Sequence, residues 1–153
     1  KRLDPGQLDH LVAGGVPAGH SPREALIKEA AEEASITTEL ANTAQDVGRL
    51  VYALNRPEGL RRDILYCYDL LLPESFEPLA ADGEVESFSL MPLQEAYYLV
   101  RDTDEFKFNV NLVLIDLVLR NGLIDPHSEV GHALRTGLNE GLSEASPGKS
   151  TSA

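Results

Sequence analysis

The sequence predicts an α+β fold from three observations. A short apolar run at residues 8–13 reads as a strand, and a loop rich in glycine and proline and a helix with a capping signal follow it. Two β-rich runs, residues 47–54 and 62–72, read as an antiparallel pair of strands. A long apolar segment at residues 109–122 has the pattern of a buried helix that stops at its glycine. Helices beside a paired sheet define the α+β class.

The first helix is predicted to begin after Ser21 and to extend to about Ala34. Ser21 is a favourable cap, Pro22 suits the first helical position, and Glu24 completes an S-x-x-E capping box. At about 100° per residue, one side of this helix is apolar and the other is acidic. The side expected to pack consists of Ile27, Ala30, Ala31 and Ala34.

The rest of the chain is predicted as a loop, a strand and two helices. The loop covers residues 73–84, the strand 85–93, and the helices 93–102 and 127–142. One domain over residues 1–142 is expected, followed by a disordered tail at 143–153 that has little to bury. A missing N-terminal portion stays open as an alternative, because the chain begins at Lys1 without Met.

Composition limits the classes of partner. The chain has 13 basic and 25 acidic residues, a net charge of -12 that argues against binding to nucleic acid or to an anionic membrane. No apolar run reaches the roughly 18 residues of a membrane span. A single cysteine, Cys67, favours a reducing compartment, so a cytoplasmic location is expected, with an organelle left open. A small-molecule partner is expected, and a homodimer is compatible with the sequence.

The stretch KEAAEEAS, residues 28–35, carries an unusual charge cluster. Glu29, Glu32 and Glu33 share one side of the helix, where like charges at such spacing repel. They also lie near the helix C-terminus, whose partial negative charge disfavours carboxylates. A bound cation is the predicted compensation, and Mg²⁺ (or Mn²⁺) suits converging carboxylate oxygens. The plain alternative is a solvated acidic face.

Residues 14–36, GGVPAGHSPREALIKEAAEEASI, resemble the Nudix box, G-x5-E-x7-R-E-U-x-E-E-x-G-U, where U is a bulky aliphatic residue. The core E-x-x-E-E is intact, and Ile36 is in register. The sequence departs from the motif at four positions: His20 for Glu, Lys28 for Arg, Ala30 for a bulky aliphatic residue, and Ser35 for Gly. The glycine register has two solutions, because either Gly14 or Gly15 can serve as the first glycine.

Longer stretches between about Leu8 and Gly122 resemble the Nudix branch related to the domain fused to thiamin pyrophosphokinase in some fungi. Lysine in place of arginine is usual in that branch. The resemblance implies a Nudix-type α/β/α sandwich with a mixed sheet between helices. It also implies Mg²⁺-dependent hydrolysis of thiamin diphosphate, or of its oxidised analogues, to the monophosphate and inorganic phosphate.

The resemblance also implies roles for individual residues. Glu29 and Glu33 are metal ligands, and Glu32 is a ligand or the base for the attacking water. A backbone carbonyl of Gly14 or Gly15 adds a ligand. A further catalytic acid is expected beyond the box, for which Glu84 is the first choice and Glu86 the second, although an acid beside glycine is also typical of a turn.

Three alternatives stay open at this point. Asn109 is a substrate contact by resemblance, or a helix cap. A Nudix-fold binding or regulatory module without turnover is the second function hypothesis, since His20 and Ser35 depart from the motif. A Nudix hydrolase for a nucleotide or sugar-nucleotide diphosphate is the third, because the fold does not select the substrate.

Overall fold

The computed structural model describes residues 6–81, 83 and 85–145. In chain order the elements are α1 (Pro22–Ala34), α2 (Thr38–Ala41), β1 (Gln45–Arg56), β2 (Gly59–Asp69), α3 (Leu93–Asp102), α4 (Phe108–Arg120) and α5 (Glu129–Ala145). The chain divides into two compact units. The first runs to Val47 and resumes over Tyr68–Met91, while the second contains Gly48–Cys67 and continues from Pro92.

Local signals define α1 at both ends. Ser21 Oγ accepts a hydrogen bond from the Glu24 N–H at 3.1 Å, with Pro22 at the first helical position, so the predicted start is confirmed. At the other end, Ser35 adopts a left-handed conformation with φ 56° and ψ 36°. The predicted end at Ala34 is therefore also confirmed.

The apolar side of α1 builds the core of the first unit. Ala30 and Ala34 are fully buried, and Ile36 and Ala41 join them. Leu11, Val12, Leu70, Leu72 and Phe76 pack around this cluster. Small side chains on α1 let loops approach its backbone closely. The prediction that Ala31 packs with them is wrong, because Ala31 is exposed.

Strands β1 and β2 form a two-stranded antiparallel hairpin. Their connection is a two-residue turn at Pro57 and Glu58, which only an antiparallel pair permits. Gly59, directly after the turn, has φ 129°, a value that L side chains rarely adopt. The predicted pair of strands is confirmed, with a tighter turn than expected.

Three helices complete the second unit, where α3 packs on α4 and α4 packs on α5. The buried side chains there include Ala96, Val110, Val118, Leu119 and Leu138. All three helices were predicted from apolar periodicity, and Gly122 ends the α4 region with φ 74°. None of the described helices is long and apolar enough to cross a membrane.

Two predicted strands are wrong. Residues 9–13 have no strand, because their side chains Leu11 and Val12 pack on the α1 core and the Ala13 N–H donates to a side chain. The second predicted strand, residues 85–93, pairs with no other strand in the described part of the chain, and its Leu90 is fully exposed. Apolar alternation gives a strand only where a neighbouring strand accepts its hydrogen bonds.

The first three residues of the predicted tail, 143–145, lie in helix α5, and the tail boundary stays a prediction. Helix α5 continues to Ala145, since its sequence contains no proline before Pro147. The remaining part of the predicted tail, residues 146–153, lies outside the described residues. The expectation of one domain over residues 1–142 stays a prediction.

A carboxylate joins α4 to α5. Asp116 has a side chain only 9% exposed, and its oxygens lie 2.8 Å from Arg120 Nε and 2.7 Å from an Arg135 guanidinium nitrogen. Removing one partner from a buried ion pair leaves the others without compensation. This three-residue group therefore stabilises the packing of the two helices.

We expect Asp116→Ala to lower the free energy of unfolding by about 2–3 kcal/mol, less than for fully buried pairs because both arginines are partly exposed. Urea denaturation measures this change. Asp102→Ala is the control, because Asp102 pairs with Arg101 on the exposed surface and should change stability little. Equal effects of the two substitutions would contradict the assigned role of Asp116.

A second prediction concerns Tyr52 on β1, whose hydroxyl donates to Asp63 Oδ2 at 2.5 Å. Burial, followed by this hydrogen bond, raises the pKa of the Tyr52 phenol from 10.0 to about 12. Because folding favours the neutral phenol, its contribution to stability is complete below pH 10.0 and is lost as the pH rises to about 12.

Ultraviolet difference titration of the folded protein checks this prediction. We expect one phenol that ionises near pH 12 in the wild type and is missing from Tyr52→Phe. Asp63→Asn should lower that pKa, because the negative charge beside the phenol is removed. Superimposable titrations of wild type and Tyr52→Phe near that pH would show that the shift is absent.

Candidate active site

Glu33 is the most constrained acidic side chain of α1. It is 3% exposed, and its Oε2 accepts a hydrogen bond from the Ala13 N–H at 2.8 Å. The prediction that Glu29, Glu32 and Glu33 share an exposed acidic face is wrong for Glu33. The cause is the loop that precedes α1, which covers the carboxylate and donates a backbone N–H to it. Glu33 is therefore held at the junction between this loop and the helix.

Glu29 lies one helical turn earlier and contacts the backbone of the same loop. It is half-buried, and a Cβ atom at Gly14 would overlap its Cγ and carboxyl carbon. The equivalent atom at Gly15 would meet nothing within 4 Å. Only a residue without a side chain lets the chain come so close to the carboxyl group. Of the two glycines, Gly14 is thus the one that contacts a predicted metal ligand.

Glu32 differs from its neighbours because it is exposed. Its Oε1 lies 3.7 Å from Lys28 Nζ, with side-chain exposures of 47% and 61% respectively. An exposed ion pair of this kind contributes little to stability. His20, which replaces the motif glutamate, has Nδ1 3.2 Å from Glu24 Oε2 on the surface. Glu32 is consequently accessible to a ligand approaching this side of α1.

The three glutamates do not form a closed metal cluster. Within residues 6–81, 83 and 85–145, no three His, Cys, Asp or Glu side chains are grouped closely enough to hold one ion. The structure instead provides two carboxyl groups beside the 13–14 backbone and a third facing solvent. A cation held here would have most of its coordination completed by water, a backbone carbonyl or a ligand.

The other predicted site residues lie elsewhere. Glu84 is outside the described residues, and Glu86 is exposed in the first unit. Asn109 is half-buried on α4 in the second unit. The helix-cap alternative for Asn109 is wrong, since Lys107 occupies the cap position of α4.

One contact of the site has no signal in the sequence. Residues 79–81 pair with the C-terminal end of α1, where the Leu79 N–H donates to Ala34 O at 3.2 Å and the Ala81 N–H donates to Glu32 O at 3.1 Å. These residues belong to a predicted loop with no strand periodicity. Ser35, a serine at a motif glycine, and the glutamate cluster beside it mark this end of the helix as unusual, but neither predicts the contact with residues 79–81.

Comparisons with known proteins agree with the motif. The profile of the NUDIX domain family matches residues 1–111. Two relatives from Arabidopsis thaliana, Nudix hydrolase 20, chloroplastic, and Nudix hydrolase 24, chloroplastic, are 48% and 49% identical over 128 residues, each covering 84% of this chain. An uncharacterized protein of Saccharomyces cerevisiae is 33% identical over 141 residues, 84% of this chain.

The chain belongs to the NUDIX domain family. The α+β Nudix fold predicted from the sequence is confirmed, and the two plant relatives carry the name of the predicted class, Nudix hydrolase. The chain spans 34% and 35% of the length of the two plant relatives and 41% of the yeast protein.

The contact between Gly14 and Glu29 leads to a stability prediction. We expect Gly14→Ala to lower the free energy of unfolding by about 1 kcal/mol, the lower limit for overpacking, because the Glu29 side chain can rotate away. Gly15→Ala, the matched control, should stay within about 0.5 kcal/mol of wild type. Thermal and urea denaturation measure both variants.

A double-mutant cycle identifies the cause of the change. In a Glu29→Ala background, the overlap at residue 14 no longer exists, so Gly14→Ala should become nearly neutral. The same loss of stability in both backgrounds would mean that the Gly14 backbone, rather than its contact with Glu29, is responsible.

Proposed function

We propose that this domain is a Mg²⁺- or Mn²⁺-dependent diphosphatase that hydrolyses a small-molecule diphosphate. The observation that carries the proposal is the position of two carboxyl groups on α1. Glu29 lies against Gly14, and Glu33 is held by the Ala13 N–H, within an intact E-x-x-E-E motif. Their positions agree with the metal-ligand roles that the Nudix box implies.

The residues present fit a hard divalent cation. Glu29 and Glu33 supply carboxylate oxygens, and Gly14 supplies a backbone carbonyl in the same loop. Mg²⁺ usually takes one or two protein carboxylates and retains several waters or substrate phosphate oxygens. The open arrangement, with no closed three-residue cluster in the described part of the chain, is compatible with that mode of binding.

The proposed chemistry is substitution at phosphorus by water. A bound divalent ion supplies the positive charge that neutralises the diphosphate and activates the water. Glu32, which is accessible on α1, accepts the proton of the attacking water as the proposed base. The new P–O bond forms from this water, the bridging P–O bond breaks, and phosphate leaves. Glu84 is the proposed additional acid, with Glu86 as the second choice.

Thiamin diphosphate, or an oxidised analogue, is the proposed substrate, with the monophosphate and inorganic phosphate as products. Support comes from the resemblance of the segments that surround the box to the branch related to thiamin pyrophosphokinase-fused domains. Asn109 is proposed to contact the substrate on the same basis. The net charge of -12 also favours a substrate whose phosphates reach the protein through metal ions. The proposed location is the cytoplasm or an organelle.

A binding module without turnover is the second candidate. The departures from the Nudix box at His20 and Ser35 favour it. Such a module would retain affinity for a diphosphate but release no phosphate. A hydrolase for a nucleotide or sugar-nucleotide diphosphate keeps the chemistry and changes only the organic group.

Phosphorus NMR tests the proposal directly. We expect the protein with Mg²⁺ to convert thiamin diphosphate or its oxo analogue to the monophosphate and phosphate, and EDTA to abolish the reaction. Glu33→Gln should reduce turnover by more than about 100-fold, beyond the usual effect of losing a residue that only supports a metal ligand.

Glu39→Gln is the matched control, because Glu39 is an exposed acid on the short helix α2 and should leave turnover unchanged. Glu84→Gln and Glu86→Gln form a second pair of variants, in which only Glu84→Gln should reduce turnover. Unchanged turnover in Glu33→Gln would refute the metal assignment. If only ADP-ribose or a nucleoside triphosphate is cleaved, the proposed chemistry stands and thiamin diphosphate is not the substrate. If a diphosphate binds but none is cleaved, the binding module is supported.

A further inference from the structure

We infer that Ser35 is a positioning residue, whose hydroxyl fixes the 79–81 segment on the C-terminal end of α1 and thereby holds Glu32 in place. This inference rests on the proposed function and deepens it, because Glu32 is the proposed base. Ser35 itself touches neither the proposed metal nor the substrate. It acts through the backbone of the 79–81 segment.

Three hydrogen bonds connect this segment to the end of α1. Ser35 Oγ donates to Leu79 O at 2.6 Å. The Leu79 N–H donates to Ala34 O at 3.2 Å, and the Ala81 N–H donates to Glu32 O at 3.1 Å. The last carbonyl groups of a helix have no partner within the helix, so an adjacent segment can satisfy them. Here the segment satisfies two of them and is itself held by the serine hydroxyl.

The conformation of Ser35 gives a reason for its presence. With φ 56° and ψ 36°, it is the only described non-glycine residue with a positive φ. Glycine adopts this conformation without steric cost, whereas other residues meet a penalty there. Serine compensates for that penalty with a hydroxyl that reaches Leu79 O. Glycine, the residue of the motif that this chain resembles, ends the helix equally well but cannot make this bond.

The consequence for the site follows from the residues that are joined. The Ala81 N–H donates to the carbonyl of Glu32, so the backbone of the proposed base is hydrogen-bonded to the residue directly before the acidic stretch DGEVE. The rest of the turn is fixed by packing, because Ala34 is fully buried in the core of the unit. Loosening the segment therefore affects Glu32 more than it affects the helix.

Ser35→Gly tests the inference, because it removes the hydroxyl and also relieves the left-handed strain, leaving overall stability nearly unchanged. We expect amide hydrogen exchange at Leu79 and Ala81 to accelerate about five- to tenfold, as for one lost hydrogen bond. Exchange at Val118 and Leu119, which are buried in the second unit, should not change. The Mg²⁺ concentration for half-maximal hydrolysis, or kcat at saturating Mg²⁺, should shift while the melting temperature does not.

Ser128→Gly is the matched control. Ser128 Oγ donates to Asp125 O, also at 2.6 Å, in the second unit. Its loss removes the same kind of hydrogen bond, and also the one that Ser128 Oγ accepts from the Gly131 N–H at 3.0 Å. Exchange at Leu79 and Ala81, and the Mg²⁺ dependence, should nevertheless stay as in the wild type.

The outcomes separate this inference from the proposed function. Unchanged exchange at Leu79 and Ala81 in Ser35→Gly would overturn it, as would acceleration spread equally over the whole chain. Faster local exchange with unchanged Mg²⁺ dependence and kcat would also overturn the positioning role and leave a structural contact. If the wild type hydrolyses no diphosphate, the proposed function fails, and the positioning role falls with it, whereas the exchange data still decide whether Ser35 holds the segment.

Discussion

The hydrogen bond from the Ala13 N–H to Glu33 is the constraint on which the candidate site depends. It brings the loop before α1 onto the acidic side of the helix, and the same approach places Gly14 against Glu29. A buried polar side chain needs such a partner, since its desolvation is otherwise uncompensated. This contact therefore brings the loop backbone beside both carboxyl groups.

This approach is possible because the opposite side of α1 is nearly flat. Ala30 and Ala34 are fully buried, and Leu11 and Val12 pack against their cluster directly before the loop turns toward Glu33. Larger side chains at the alanine positions would move the loop away from the helix. The alanine at residue 30, a departure from the bulky aliphatic residue of the motif, is therefore part of the packing that positions the site.

Local signals explain what could be predicted from the sequence. Helices α1, α3 and α4 are specified by capping residues and apolar periodicity, which act within a few turns. The sequence therefore predicts the bounds of these helices to within a residue or two. The strand at residues 8–13 was wrong because pairing depends on a distant partner, and Leu11 found the helix core instead. The burial of Glu33 escaped prediction for the same reason: its donor is 20 residues away.

The structure also changes the interpretation of the charge cluster. The sequence alone predicts that three neighbouring carboxylates near a helix C-terminus are compensated by a cation. Each now has its own environment: Glu29 lies against Gly14, Glu32 faces Lys28, and Glu33 binds the Ala13 N–H. The chain thus reduces part of the repulsion by itself, and a divalent ion has to bind in addition to contacts already present. The repulsion alone therefore does not require a cation. A divalent ion is favoured instead by the oxygen donors that lie close together around Gly14.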